Sequence, residues 1–327
     1  MSPSFILLLI SALLFDFLNG FHDSANLVAT PIASRAISPR KILWLTATAE
    51  FVGPFLFGVA VAETIGNDLT SADHITMTVV TVAVLAAIVW NVVTWRLGIP
   101  SSSSHALVGG IIGAIAISSG LDAIRSSGLI KIITALFLSP ILGLIVGYFL
   151  MNLMLFLMRG ATPTVNSFFK RAQLGTAIAL AFSQGANDAQ KTMGIITLGL
   201  MIEGTINRFV VPLWVIVVSA AVIAFGTAMG GWKLIKTLGG RIYKIRPIHG
   251  FTAQITGATI MLVAAILGGP VSTTQVMSSS IIGVGTAERV SKVRWQVGYE
   301  MVLAWMLTIP ITAVLAILFF LLSTLIV

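Results

Sequence analysis

Apolar runs long enough to cross a bilayer fill this chain from end to end, and a few polar stretches punctuate them. Residues 4–19 form an apolar run broken by Asp16 and ending at Asn19-Gly20, and 24–37 read as a second short helix. Residues 41–66 span, with Glu50 and Pro54 inside, and 75–95 span again. Gly98-Ile-Pro100-Ser-Ser-Ser-Ser-His105 then opens a small-residue helix running to about Ser119, and 131–158 span. After a polar stretch the plan returns. Residues 172–184 and 188–202 flank the polar segment 183–194, while 209–229 and 249–268 span. Gly269-Pro270-Val-Ser-Thr-Thr-Gln275 opens another small-residue helix to about Gly285, and 297–326 span. A crossing helix needs about 20 apolar residues, so the pattern predicts an all-α polytopic membrane protein.

The two halves are copies. Gly20-Phe-His-Asp23-Ser-Ala-Asn26 aligns with Gly185-Ala-Asn-Asp188-Ala-Gln-Lys191 at an offset of 165 residues, and Pro100 aligns with Pro270 at 170. Ser102, Ser103, Ser104 and His105 then match Ser272, Thr273, Thr274 and Gln275. The expected organisation is a first transmembrane repeat over 1–158, a cytoplasmic linker over 159–171 and a second repeat over 172–327. Such repeats are parallel or inverted, and polar breaks at matching places in both halves point to a transporter's binding site.

Charge bears on that choice. The chain has 327 residues, 57% apolar and only 9% charged, against roughly 25% charged in soluble domains. The net charge of +8 resides in loops rather than in a basic helix, so nucleic acid is not the expected partner. With the five-cation connector 231–247 on the cytoplasmic side, the inner loops carry 15 Lys/Arg and one acid. The outer connectors carry three Lys/Arg and five acids. Equivalent loops 67–74 and 231–247 then fall on opposite faces. This favours inverted repeats with both termini extracytoplasmic, in the cell (inner) membrane, provided each Asp-motif segment makes one net crossing as a broken helix. If those segments cross twice, the repeats become parallel. The start, Met1-Ser-Pro-Ser-Phe, has no charged n-region and is expected to enter the first span directly. The absence of cysteine excludes disulfides and thiolate metal sites.

The polar stretches carry the chemistry. A glycine-rich break is expected to free backbone carbonyls, Asp23 and Asp188 add charge, and Asn26, Asn187 and Gln190 add neutral oxygens. An oxygen-only set suits a hard cation such as Na⁺. The plainer alternative, that each Asp merely caps a helix, is less economical for a matched pair. Each Pro-Ser/Thr motif places hydroxyls and free N–H groups at the positive end of a helix dipole, which makes an anion site. Inverted repeats would bring the two helix N-termini together near midplane. A phosphate there would be strongly repelled by Asp23 and Asp188 unless cations accompany it. Lys191 supplies one positive charge, or else snorkels, or pairs with Asp188. His22 and His105 are proton relays or hydrogen-bonding neighbours. Glu50 and Glu300 lie inside spans as gating or extra cation residues, and Asp16 is less telling because it lies near a segment end. A channel would need a continuous lined pore, which broken helices closing on one site argue against. A Ser–His hydrolase fails because adjacent residues on one helix do not face each other.

At these four motifs the sequence resembles the inorganic phosphate transporter (PiT) family, over nearly the whole chain. The resemblance implies cation-coupled phosphate uptake with Na⁺ or H⁺, a transport core with a scaffold, and a homodimer in the lipid bilayer. It requires no resident cofactor. The expected phosphate ligands are Ser103, Ser104, Thr273, Thr274, Asn26, Gln190 and Lys191. The expected cation ligands are Asp23, Asp188, Asn26, Asn187, Ser102 and Ser272. Glu50 matches an intramembrane glutamate of the family. His22 stands where Asn is usual, Gln275 where His is common, and Gln254 where several members have Glu. Those departures leave Na⁺ against H⁺ coupling open, and sulfate-carrying relatives leave the anion open.

Overall fold

In the computed structural model, residues 1–68 and 75–326 are described; Asp73 of the acidic connector lies outside them. The helices are α1 (Pro3–Ala33), α2 (Pro39–Phe57), α3 (Ala60–Glu63), α4 (Met77–Leu97), α5 (Ser103–Ser118) and α6 (Ser126–Leu157). The second half gives α7 (Val165–Ile202), α8 (Leu213–Met229), α9 (Trp232–Lys236), α10 (Pro247–Ile266), α11 (Thr273–Glu288) and α12 (Trp295–Ile326). The sequence repeat is therefore a repeat of six helices in the same order. Even the short features recur: α3 and α9 each run into one π-type turn, Thr64–Asp68 and Thr237–Arg241. Prolines 140 and 310 sit inside α6 and α12 at the same offset.

Local chemistry sets the helix ends. Ser2, Thr76, Ser102 and Ser272 each accept a backbone N–H from three residues on, as N-caps do. Pro3, Pro39 and Pro247 occupy first-turn positions, where a missing N–H costs nothing. Glycine 98 closes α4 at φ 71°, a left-handed conformation that residues with a Cβ adopt at a cost.

Two expectations need correction. The helices do not break at the Asp motifs: α1 runs through Gly20-Asp23 without interruption for 31 residues, and α7 through 183–194 for 38. Helix α7 also starts inside the stretch read as linker. At 1.5 Å per residue α1 is about 46 Å long, enough for a single crossing of a ~30 Å hydrocarbon core. The breaks lie elsewhere, between α2 and α3 (75°) and between α8 and α9 (59°), so the basic connector 231–247 is largely the second arm of a bent helix. Gly58 and Gly230, at φ 77° and 74°, make those bends.

The glycines of the Asp motifs serve packing instead. A Cβ on Gly20 would lie 2.1 Å from the Ile223 carbonyl oxygen, and one on Gly185 would lie 2.2 Å from that of Glu50. The backbones of α1 and α8, and of α7 and α2, thus cross in direct contact, as small residues allow between membrane helices. Gly53 and Gly226 repeat the contact from the partner helices. Each crossing joins one repeat to the other.

Two large clusters dominate the apolar packing, with two smaller ones beside α4–α6 and α12. One cluster takes Ala25–Ala29 of α1, Ala177–Ala181 of α7 and parts of α9–α11. The other takes Phe5–Phe15 of α1, Ala189–Leu200 of α7 and parts of α3–α5 and α8. The middles of α1 and α7 pass between these clusters, and their polar residues lie there, buried. Helices α6 and α12 are apolar all round and little of their apolar length is buried, which suits contact with lipid.

Candidate functional site

Four elements bring the matched motifs together: the middles of α1 and α7 and the N-termini of α5 and α11. Asp23 on α1 and Asp188 on α7 are both buried, and Thr273, the first residue of α11, stands between them. Its hydroxyl oxygen is 3.1 Å from Asp23 Oδ2 and 3.0 Å from Asp188 Oδ2. A hydroxyl has one proton to donate, so it satisfies one carboxylate and turns a lone pair toward the other. The second carboxylate needs a proton or a cation at that point. Thr274 donates to Asp23 Oδ1 at 2.5 Å and lies 3.3 Å from Asn26 Nδ2, which donates to it. The Asn26 amide oxygen is buried without a hydrogen-bond partner. His22 Nδ1 lies 3.2 Å from Asp23 Oδ1.

Lys191 is fully buried and pairs with Asp188 one helical turn away. Among the three fates open to it from sequence, pairing is the one observed. Buried Glu50 accepts a hydrogen bond from Gln184 Nε2 at 3.1 Å, and the same amide lies 3.5 Å from the Asp23 carbonyl oxygen. Glu50 is thereby tied to the cluster from α2, with its second oxygen unpartnered.

The two helix N-termini meet, as the Pro-Ser/Thr motifs predict. Ser104 donates across to the Val271 carbonyl at 2.9 Å, and His105 Nδ1 lies 3.4 Å from Gln275 Nε2. Ser103 is buried in the same turn.

Several expected ligands face backbone instead. Ser102 and Ser272 are N-caps, accepting from the His105 and Gln275 amides at 3.1 and 3.3 Å. Asn187 clamps the loop before α11, donating to the Gly269 carbonyl at 3.1 Å and accepting from the Val271 amide at 3.3 Å. Gln190 holds the α2–α3 bend: its oxygen accepts from the Val61 amide at 2.8 Å and its nitrogen donates to the Gly58 carbonyl at 2.7 Å. Glu300 is exposed on α12, 3.4 Å from Gln296, and does not join the cluster. Gln254 accepts from Thr176 at 2.7 Å and donates to the Leu27 carbonyl at 3.3 Å, bridging α7, α10 and α1.

The sequence reading missed Gln184 and underrated Asp16. Asp16, Asn19, Asp23, Asn26 and Thr30 are spaced three, four, three and four apart, the signature of one helix face. Placing a break at Gly20 cut that stripe in two and hid it.

Comparison with known proteins agrees with the geometry. The profile of the phosphate transporter family matches residues 19–316. A protein from Bacillus subtilis named "Probable low-affinity inorganic phosphate transporter" is 44% identical over 327 residues, covering 97% of each chain. One from Rhizobium meliloti is 42% identical over 316 residues, covering 96% of this chain and 95% of its own. Among solved structures, a sodium-dependent phosphate transporter superposes with a TM-score of 0.88 at 24% identity, over 100% of both chains.

Proposed function

The chain belongs to the phosphate transporter family, and on that premise we propose that it is a secondary symporter that imports inorganic phosphate with Na⁺. The family is one of transporters, not enzymes. The observation that carries the coupling is the single Thr273 hydroxyl set between two buried carboxylates. Asp23, Asp188 and Glu50 bring three formal negative charges into one buried region, and Lys191 returns one. Phosphate would add between one and two more. At an effective dielectric constant of about 20, two like charges 4 Å apart repel by about 4 kcal/mol, so the anion and its counter-cations bind together or not at all.

Phosphate is held in this reading at the meeting point of α5 and α11. Free N–H groups of both first turns and the Ser103 hydroxyl face an oxyanion there, and Ser104 and Thr274 join when their hydroxyls turn from the Val271 carbonyl and the Asp23 carboxylate. The cations sit among Asp23, Asp188, Thr273 and Asn26. Na⁺ is preferred to H⁺ because neutral oxygens surround the carboxylates, and a hard cation uses them all. The structural neighbour is named sodium-dependent; at 24% identity the fold is what carries over, and the preference rests on the donor set. Asn187 and Gln190 act as positioning residues, fixing the loop before α11 and the α2–α3 bend. The low affinity in the relatives' names is adopted for this chain as well.

The halves are taken as inverted repeats that rock about the site in the cell membrane, as a homodimer. The uninterrupted passage of α1 and α7 supports this, since one crossing per motif segment is what inversion needs. Uptake of labelled phosphate into proteoliposomes under imposed Na⁺ or H⁺ gradients, with sulfate as competitor, is the direct test. Accumulation driven by Na⁺ and unaffected by sulfate is expected. Accumulation under a proton gradient alone would replace Na⁺ by H⁺, and competition by sulfate would widen the substrate.

A further inference from the structure

Seven residues before Asp23, about 10 Å along the α1 axis, lies a polar group that the phosphate site does not use. Asp16 is fully buried, and neither of its carboxylate oxygens has a hydrogen-bond partner. Asn19, one turn further along the same face, is also fully buried with both ends of its amide unpartnered. From α7 the buried Thr192 hydroxyl approaches Asp16 at the edge of hydrogen-bonding range, and no other side chain bonds either group. The charges acting on Asp16 are Glu50, Asp188 and Lys191, and the Lys191 ammonium is engaged by Asp188. A buried carboxylate without a partner is costly, and native proteins rarely leave one so.

We infer that Asp16, Asn19 and Thr192 form a second binding position for a hard monovalent cation, of which Na⁺ is the type, at the α1–α7 interface. The donor set decides between a cation and a proton. A proton on Asp16 would neutralise the carboxylate and give it one O–H to donate, which serves at most one of the Asn19 and Thr192 oxygens. A Na⁺ among them takes the carboxylate and both neutral oxygens at once, and one carboxylate matches one positive charge. Three oxygen types on two helices also explain why the stripe on α1 continues past Asp23, where no phosphate ligand is needed. The position is separate from the Asp23–Asp188 cluster, so it stands or falls without the symport reading.

The test is binding of ²²Na⁺ to the purified full-length protein in detergent, by equilibrium dialysis, alongside binding of ³²P-labelled phosphate. Asp16→Asn is expected to bind one Na⁺ fewer per chain than the parent protein. Asp23→Asn is the control for the cluster. Thr192→Val, a milder change, should weaken the Na⁺ site about tenfold and covers the case in which Asp16→Asn does not fold, as judged by size-exclusion chromatography and melting. Undiminished Na⁺ binding in a folded Asp16→Asn protein overturns the inference; if Asp23→Asn loses Na⁺ in the same experiment, the symport reading survives it. Loss in Asp16→Asn but not in Asp23→Asn upholds this site and removes the cations from the cluster. No Na⁺ binding by the parent protein ends both.

Discussion

Thr273 is the residue on which the site turns. Replacing it with valine keeps the shape and removes the hydroxyl between Asp23 and Asp188. A hydrogen bond to a charged group is worth about 1.5–3 kcal/mol, so the Na⁺ concentration giving half-maximal uptake should rise roughly ten- to hundredfold. An unchanged value in the liposome assay would remove Thr273 from the cation site. Lys191 makes a second residue-level case. In Lys191→Met the Asp188 carboxylate loses its buried partner, and breaking such a pair typically costs about 3–5 kcal/mol. The melting temperature should fall clearly, and Asp188→Asn added to it should recover most of the loss while uptake stays absent. Recovery of uptake in the double variant would show that neither charge is needed for transport.

At the scale of helices, the glycine crossings carry a prediction that the sequence alone reverses. A glycine at a helix break is there for its freedom to turn; Gly20 and Gly185 sit in regular helix and are there for the missing Cβ. Gly20→Ala and Gly185→Ala therefore force methyl groups onto the backbone oxygens of Ile223 and Glu50, atoms that no rotamer change can move aside. Overpacking of this kind costs about 1–3 kcal/mol or more. Gly175→Ala, also inside α7 but with nothing within 4 Å of its added Cβ, should be neutral or stabilising by up to about 1 kcal/mol. Thermal melts of the three variants in one detergent settle the matter, and equal behaviour would contradict the crossings. Gln190 belongs at this scale too: its amide, matched by Ala25 in the first repeat, is spent on the α2–α3 bend rather than aimed at a ligand.

For the whole molecule the open quantity is the relative direction of the halves. Arg40, in the first turn of α2, and Arg208, in the connection before α8, lie at equivalent ends of the two repeats, and both are exposed. The chain has no cysteine, so single variants Arg40→Cys and Arg208→Cys report cleanly. With inverted repeats a membrane-impermeant maleimide added to intact cells labels Arg208→Cys and spares Arg40→Cys until the cells are opened. Labelling of both from outside would make the repeats parallel. The two large apolar clusters give a reason to expect inversion. Each is built from one end of α1 and one end of α7, and the buried charges lie between them, far from either end of the helices.

Sequence by itself determined that this is a helical membrane protein of two like halves, because apolar length and motif recurrence are properties of the chain read in order. It also paired Asp23 with Asp188 and the α5 start with the α11 start, since like positions in like repeats come together around a common axis. Tertiary structure alone decided what the glycines do, because their contacts are carbonyls such as Ile223, some two hundred residues away from Gly20. It likewise decided which amides hold backbone, and that Thr192 of α7 comes to lie against Asp16. Those outcomes depend on which helix lies against which, and the order of residues along one segment carries no record of its neighbour.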